Sequence, residues 1–266
     1  MNIRAGPITS VTAAALLCAG SLGVGAAPGA AEEQPATLRI LVTNDDGVGA
    51  PGIDALVRGL RKIKRVEVTV VAPADNMTGT GDATSPAPPP TTRTTTASGY
   101  PAIAVQGYPA DTVDLALDGA VPDKPHLVAT GVNAGQNLGP TVDVSGTVGA
   151  AKEAVRRGIP AVAVSQGSGT SSSDYNFPAG VREAVRWVKQ HKAALLKTGA
   201  RPPKDVASIN VPTCLVGNVR GLVEVPAATT GDVARKPNCA SKVKHPTDDV
   251  VAYANGFAAL SPIPAG

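Results

Sequence analysis

Three short polar segments of this chain carry oxygen donors at spacings that suit a hard divalent cation. The first is Asn44-Asp45-Asp46-Gly47, directly behind an apolar run. Adjacent carboxylates repel each other and lose hydration on burial unless a cation balances them. Mg²⁺ or Mn²⁺ takes oxygen ligands of this kind. Gly47, Gly49, Pro51 and Gly52 let the chain turn sharply about such an ion. An ordinary Asn/Asp-Gly turn with solvated carboxylates is the other reading of the same residues. The second segment, Ala72 to Gly79, offers the Thr78 hydroxyl as a neutral oxygen. The third runs from Thr130 to Gly139 and on to Ser145-Gly146-Thr147, with the Asn133 amide as a further donor. Ser145-Gly146-Thr147 opens a helical pattern, where free backbone N–H groups and the helix dipole favour a phosphate. A glycine-rich connection ending in an N-cap accounts for those residues equally well. A metal on one side and an anion cradle on the other describe a phosphoryl-transfer site. Gly79 to Thr84 lacks the third glycine and the following helix of a dinucleotide loop.

Alternating strand and helix patterns position these segments. Leu38 to Thr43 reads as a strand buried on both faces, and Ile53 to Lys64 has apolar residues at helical period. Strands are expected at Val66–Ala72, Ala102–Gln106, His126–Thr130, Ala161–Ser165 and Val206–Val211. Helices are expected at Ala110–Leu117, Thr147–Arg157 and Phe177–Lys197. That alternation predicts an α/β, doubly wound, mostly parallel sheet, with ligands collecting where the strands end. Residues Pro73 to Gly99 lose periodicity, and Ser85 to Thr96 is little but Pro, Thr, Ala and one Arg, which predicts a long loop, a lid or a mobile surface segment. The tail after Pro212 reads as irregular and β-rich, a separate arm.

The chain has 266 residues, a length for one large domain or two small ones. With 24 Lys+Arg against 21 Asp+Glu, the net charge is +3 and no dense basic run occurs, which argues against nucleic acid or anionic lipid as the main partner. Aromatic content of 3% argues against stacking platforms for single strands. Residues 1–31 follow another logic. Arg4 and the amino terminus precede an uncharged stretch with apolar residues from Val11 to Val24, then small residues, the layout of a secretory signal peptide. Its Ala, Gly, Ser and Thr content disfavours a retained membrane span. Leu17 stands where a small residue should precede a lipidated Cys18. Cleavage between Ala27 and Glu32 would leave a secreted chain without stable membrane association, carrying Cys214 and Cys239. These two are either a disulfide or two unrelated buried thiols.

Residues 39–52 (RILVTNDDGVGAPG), 71–79 (VAPADNMTG), 130–151 (TGVNAGQNLGPTVDVSGTVGAA) and 208–212 (SINVP) resemble the SurE family of metal-dependent nucleotidases, as does Thr247-Asp248 leading to Gly256-Phe257. The resemblance covers roughly residues 38 to 263. It implies a Rossmann-like core, a C-terminal arm exchanged between subunits of a homodimer or higher homo-oligomer, and hydrolysis of nucleoside 5′- or 3′-monophosphates. By motif the implied metal ligands are Asp45, Asp46, Thr78 and Asn133, with Asp45 and Asp46 as the candidate catalytic pair. The family's serine is Thr78 here, which keeps the hydroxyl and adds a methyl. Asn44, Ser145, Gly146 and Thr147 are the implied phosphate contacts. A secreted nucleotide- or phosphate-binding protein of the same fold, without turnover, is the competing function. An aspartyl-phosphate phosphatase needs carboxylates two apart, which Asp45-Asp46 does not provide. His126, His191 and His245 are poor catalytic candidates. Trp187 and Tyr175 read as core or subunit contacts, and Tyr108 as a possible base contact.

Overall fold

The computed structural model describes residues 1–2, 6, 36–169, 175–197 and 202–266. The expected signal peptide lies outside the described residues, apart from three of its positions. Strands β1 (Leu38–Thr43), β2 (Val66–Pro73), β5 (Leu127–Ala134), β6 (Ala161–Gln166) and β7 (Asp205–Val211) form the parallel centre of a nine-stranded sheet. Between them run α1 (Pro51–Leu60), α2 (Pro109–Leu115), α3 (Gly146–Arg156) and α4 (Phe177–Leu195). The spatial order is β3-β4-β2-β1-β5-β6-β7-β9-β8, with β3 at Thr91–Thr95, β4 at Pro101–Val105, β8 at Leu222–Glu224 and β9 at Ala258–Pro264. A short helix α5 (Asp249–Ala254) precedes β9.

The β1 residues explain their own placement. Leu38, Ile40 and Val42 pack with Ile53, Leu56 and Leu60 of α1 and with Val188 of α4 on one face of the sheet. Leu41 points to the other face, where Val113 of α2 and Val148 and Ala151 of α3 meet it. A strand apolar on both sides therefore sits at the centre, as parallel sheets require. Because β1 pairs with β2 on one side and β5 on the other, the chain reverses its winding direction there. The crevice at such a reversal opens at the carboxyl ends of the strands. The loops behind Thr43, Pro73 and Ala134 emerge at that edge.

One segment differs from the sequence expectation. Residues 80–99 are neither a free lid nor a mobile segment. Gly81 N–H donates to Val144 O (3.1 Å), Ser85 donates from its N–H and hydroxyl to Asp111 (2.8 and 2.7 Å), and Thr91–Thr95 pairs antiparallel with β4. Every side chain of β3 is exposed, so it has no apolar alternation by which a sequence pattern could reveal it. In the tail, β9 pairs antiparallel with β7 and β8 pairs parallel with β9, extending the sheet. Cys214 and Cys239 are disulfide-bonded. Among the described residues no helix is long and apolar enough to cross a membrane.

Candidate active site

Three loops meet at the carboxyl edge of β1, β2 and β5, and main-chain bonds hold them together. Met77 N–H donates to Asp45 O (2.7 Å), Val48 N–H donates to Pro73 O (2.8 Å), and Ala134 N–H donates to the Asp46 carboxylate (3.1 Å). Gly47 is required where the first loop turns. Its φ is +99°, and an added Cβ would sit 3.2 Å from the Asp75 carbonyl carbon.

Asp45 is 2% exposed, and the Thr147 hydroxyl donates to its Oδ1 at 2.5 Å. Gly146 lies against it so closely that a Cβ there would come within 2.8 Å of the Asp45 Cβ. Burial pushes the Asp45 carboxyl above the ordinary value, against the Thr147 hydroxyl and the backbone of Asp45, Thr147 and Gly146, which pull it down. Asp46 is raised to about 6, by burial first and then by the Asp45 charge beside it, with Ala134 N–H opposing. A buried carboxylate and a half-buried one are thus neighbours, with like charge facing like charge.

The amides of Asn44 and Asn133 are each half satisfied. Asn44 Nδ2 donates to Gly47 O (2.9 Å) and Asn133 Nδ2 donates to Gly135 O (2.8 Å), while both Oδ1 atoms are buried without a hydrogen-bond donor. A buried unpartnered amide oxygen costs free energy unless a donor or cation meets it. Ser145 caps α3, its hydroxyl accepting from Val148 N–H (3.1 Å). The side chains of Ser145 and Thr147 therefore serve the helix start and Asp45.

Asp46 and Thr78 line a cavity of about 590 Å³ together with Ala50, Pro51, Gly52, Asn76, Ala134, Tyr175 and Phe177. None of these is a Lys, Arg or His. Thr78 N–H donates to Asn76 Oδ1 (2.8 Å), which sets the turn that carries its hydroxyl. A phosphate dianion facing two carboxylates needs a cation between them.

The model of the family described as "Survival protein SurE" matches residues 40–233. The chain belongs to the SurE family. It is 45% identical over 129 residues to the "5′-nucleotidase SurE" of Methanopyrus kandleri, covering 48% of this chain and 49% of that protein. It is 39% identical over 192 residues to the protein of the same name from Parvibaculum lavamentivorans, covering 70% of this chain and 65% of that one. The chain thus spans about half and about two thirds of these relatives' lengths. The crystal structure of the SurE protein from Aquifex aeolicus superposes with a TM-score of 0.67 at 26% identity, covering 86% of this chain and 94% of that one.

With the SurE fold in place, the sequence candidates sort by position. Asp46 and Thr78 share the cavity, and Asp45, Asn133, Asn44 and the first turn of α3 adjoin it through the contacts above. Among the described residues no group of three or more His, Cys, Asp and Glu gathers to hold a metal. A cation here would have to rely on two carboxylates completed by amide and hydroxyl oxygens, and the unpartnered Asn133 Oδ1 has the chemistry for that role. His126 sits at the opposite edge of the sheet, where its Nδ1 accepts from Arg39 N–H (3.0 Å), and His191 stacks on Trp187. Tyr108 sits just before α2, its N–H donating to Asp111 (2.8 Å), and is not among the cavity's described lining residues. Of the two sequence readings of Tyr175, the core one does not hold: the residue is partly exposed on the cavity wall. Only three-dimensional proximity brings it there from behind β6, so no local pattern signals it.

Proposed function

We propose that this chain is a divalent-metal-dependent phosphomonoester hydrolase acting on nucleoside 5′- or 3′-monophosphates. One observation carries the reading: Asp46, beside the buried Asp45, lines a cavity with no cationic side chain among its described lining residues, and the Asn133 amide oxygen, at the end of β5 where Ala134 N–H donates to Asp46, is buried without a donor. The names of the relatives, 5′-nucleotidases, agree with it. Asp45, Asp46, Thr78 and Asn133 would hold Mg²⁺ or Mn²⁺, which when bound neutralises phosphoryl charge and makes a water more acidic. The protein's own residues do the positioning. Thr147 and Gly146 fix the Asp45 carboxylate, and Asn44 ties the carboxylate loop to Gly47. The positive end of α3, opened by Ser145, Gly146 and Thr147, lies against Asp45 and would favour an anion on that side. Asp46, on the cavity wall, would accept a proton from water or serve as ligand.

The test is phosphate release from a panel of nucleoside monophosphates in Mg²⁺, Mn²⁺ or EDTA, beside Asp46→Asn. Release that vanishes in EDTA and in the variant supports the hydrolase. Nucleotide binding with no release in either metal overturns it in favour of a binding protein of this fold. We also propose a homodimer or higher homo-oligomer formed through the tail. Leu215, Val216 and Val243 expose large apolar side chains there. Light scattering that finds a monomer unaffected by Val216→Glu would refute this.

A further inference from the structure

Tyr175 and Phe177 form the aromatic part of the cavity wall. Their ring centroids lie 5.4 Å apart with planes 24° from parallel, and both rings are partly exposed. Ala50, Pro51, Gly52 and Ala134 are its other apolar lining residues, whereas Asp46, Asn76 and Thr78 are its polar members. The cavity therefore offers both a carboxylate and flat aromatic surface. Its volume, about 590 Å³, lies in the range of small-molecule sites.

The wall is fixed from behind. Tyr175 bridges to Ser168, and Asn176 N–H reaches the Thr213 hydroxyl (3.5 Å). Thr213 in turn donates to Gly167 O and accepts from Gln166 Nε2 (2.9 Å). Phe177 lies over the start of α1, where an added Cβ on Gly52 would come 3.1 Å from its ring. Burial and then the Asp46 charge push the Tyr175 hydroxyl up, and both residues line the same cavity. An aromatic ring with only two side-chain torsions beside a charged site loses little rotamer entropy on meeting a flat ligand.

We infer that Tyr175, backed by Phe177, is the stacking platform for the nucleobase of the substrate, and that it makes this enzyme a selector of nucleotides over plain sugar phosphates. The inference rests on the hydrolase reading for its placement of the phosphoryl group. Every base has a π-face, so stacking is tolerant of base identity. Asn76, the one side-chain amide among the described lining residues, has its oxygen occupied by Thr78 N–H. Purine and pyrimidine monophosphates should therefore differ by only a few-fold, while ribose 5-phosphate, which has no base, is a much poorer substrate.

The test compares wild type, Tyr175→Ala, Tyr175→Leu and Tyr175→Phe with adenosine 5′-monophosphate and ribose 5-phosphate. Both kcat/KM and equilibrium dialysis of the nucleotide are measured. Stacking contributes roughly 1–3 kcal/mol per base, so kcat/KM for the nucleotide should fall about tenfold or more in the Ala and Leu variants. Ribose 5-phosphate should change less than about twofold and the Phe variant should behave as wild type, with the loss mainly in KM. Equal losses on both substrates, or no loss on either, overturn the platform and leave the hydrolase standing. A wild type that releases no phosphate yet binds the nucleotide about tenfold more tightly than Tyr175→Ala overturns the hydrolase and supports the platform. Equal binding by the two overturns the platform.

Discussion

Thr147 shows how one hydroxyl can decide the state of a carboxylate. It is fully buried and donates to Asp45 Oδ1 at 2.5 Å, across 102 residues of sequence. Replacing it with Val removes that donor at nearly constant volume and leaves Asp45 free to turn or to take a proton. Groups that orient metal-binding side chains are worth about 10–100-fold in metal affinity or activity. Thr147→Val should accordingly weaken Mn²⁺ binding by that factor, measured by calorimetry, with a parallel drop in kcat/KM. Thr147→Ser should recover most of it. Unchanged affinity in the Val variant would mean that Asp45 does not hold the ion. Sequence reasoning placed Thr147 at this site through the N-cap motif, but could not separate a phosphate contact from a carboxylate clamp. The first turn of a helix looks the same for either until Asp45 is brought beneath it.

Helix α1 joins the site to the sheet, and two of its residues give tests of that element. Gly52 lies so close to β5 that an added Cβ would meet Val132 O at 2.0 Å. Gly52→Ala must push α1 away from the backbone of β5, with a cost of about 2 kcal/mol, or a Tm lower by about 6 °C for a domain of this size. Asp54 ties α1 to the segment behind β3. Burial alone would raise its carboxyl, but donors from Ser98 and Thr96, with Arg58 beside it, outweigh burial and hold it below the ordinary value. Folding therefore favours the ionised form. That stability is complete above about pH 4 and fades as pH falls through the lowered folded value. The Tm gap between wild type and Asp54→Asn should be widest near pH 7 and close below about pH 4. A gap independent of pH would mean that the carboxylate contributes no charge-linked stability. These elements also show what patterns in the sequence can carry. Ile53, Leu56, Val57 and Leu60 mark α1 because burial on one face imposes a period, and the same holds for β1 and β5. Thr91–Thr95 imposes none, being an exposed edge strand, and Leu222–Glu224 is too short to show one. Tyr175 belongs to the cavity only because the start of α4, at Phe177, lies beside Gly52 of α1.

For the whole molecule, the Cys214–Cys239 bridge connects the end of the central sheet to the tail. It closes a span of 25 residues, and Cys239 packs against the backbone at Gly256, just before β9. A closure of that length stabilises by about 3.5 kcal/mol in the chain-entropy model, or about 10 °C in Tm. Disulfides persist in oxidising compartments, which supports the proposal that residues 1–31 export the chain. The bridge also bears on the site. Cys214 follows Thr213, whose hydroxyl meets Asn176 N–H and Gly167 O on the two sides of the Tyr175 segment. Loosening the bridge should free that anchor before it disturbs Asp45 and Asp46, which are held from α3 and β5. Cys214→Ser paired with Cys239→Ser, or reduction of the wild type, should lower Tm by about 10 °C. Below the transition it should raise KM for nucleoside monophosphates several-fold and leave kcat near its original value. Loss of kcat with unchanged KM would show instead that the bridge supports the carboxylate loops, and that the tail and the Tyr175 wall are mechanically independent.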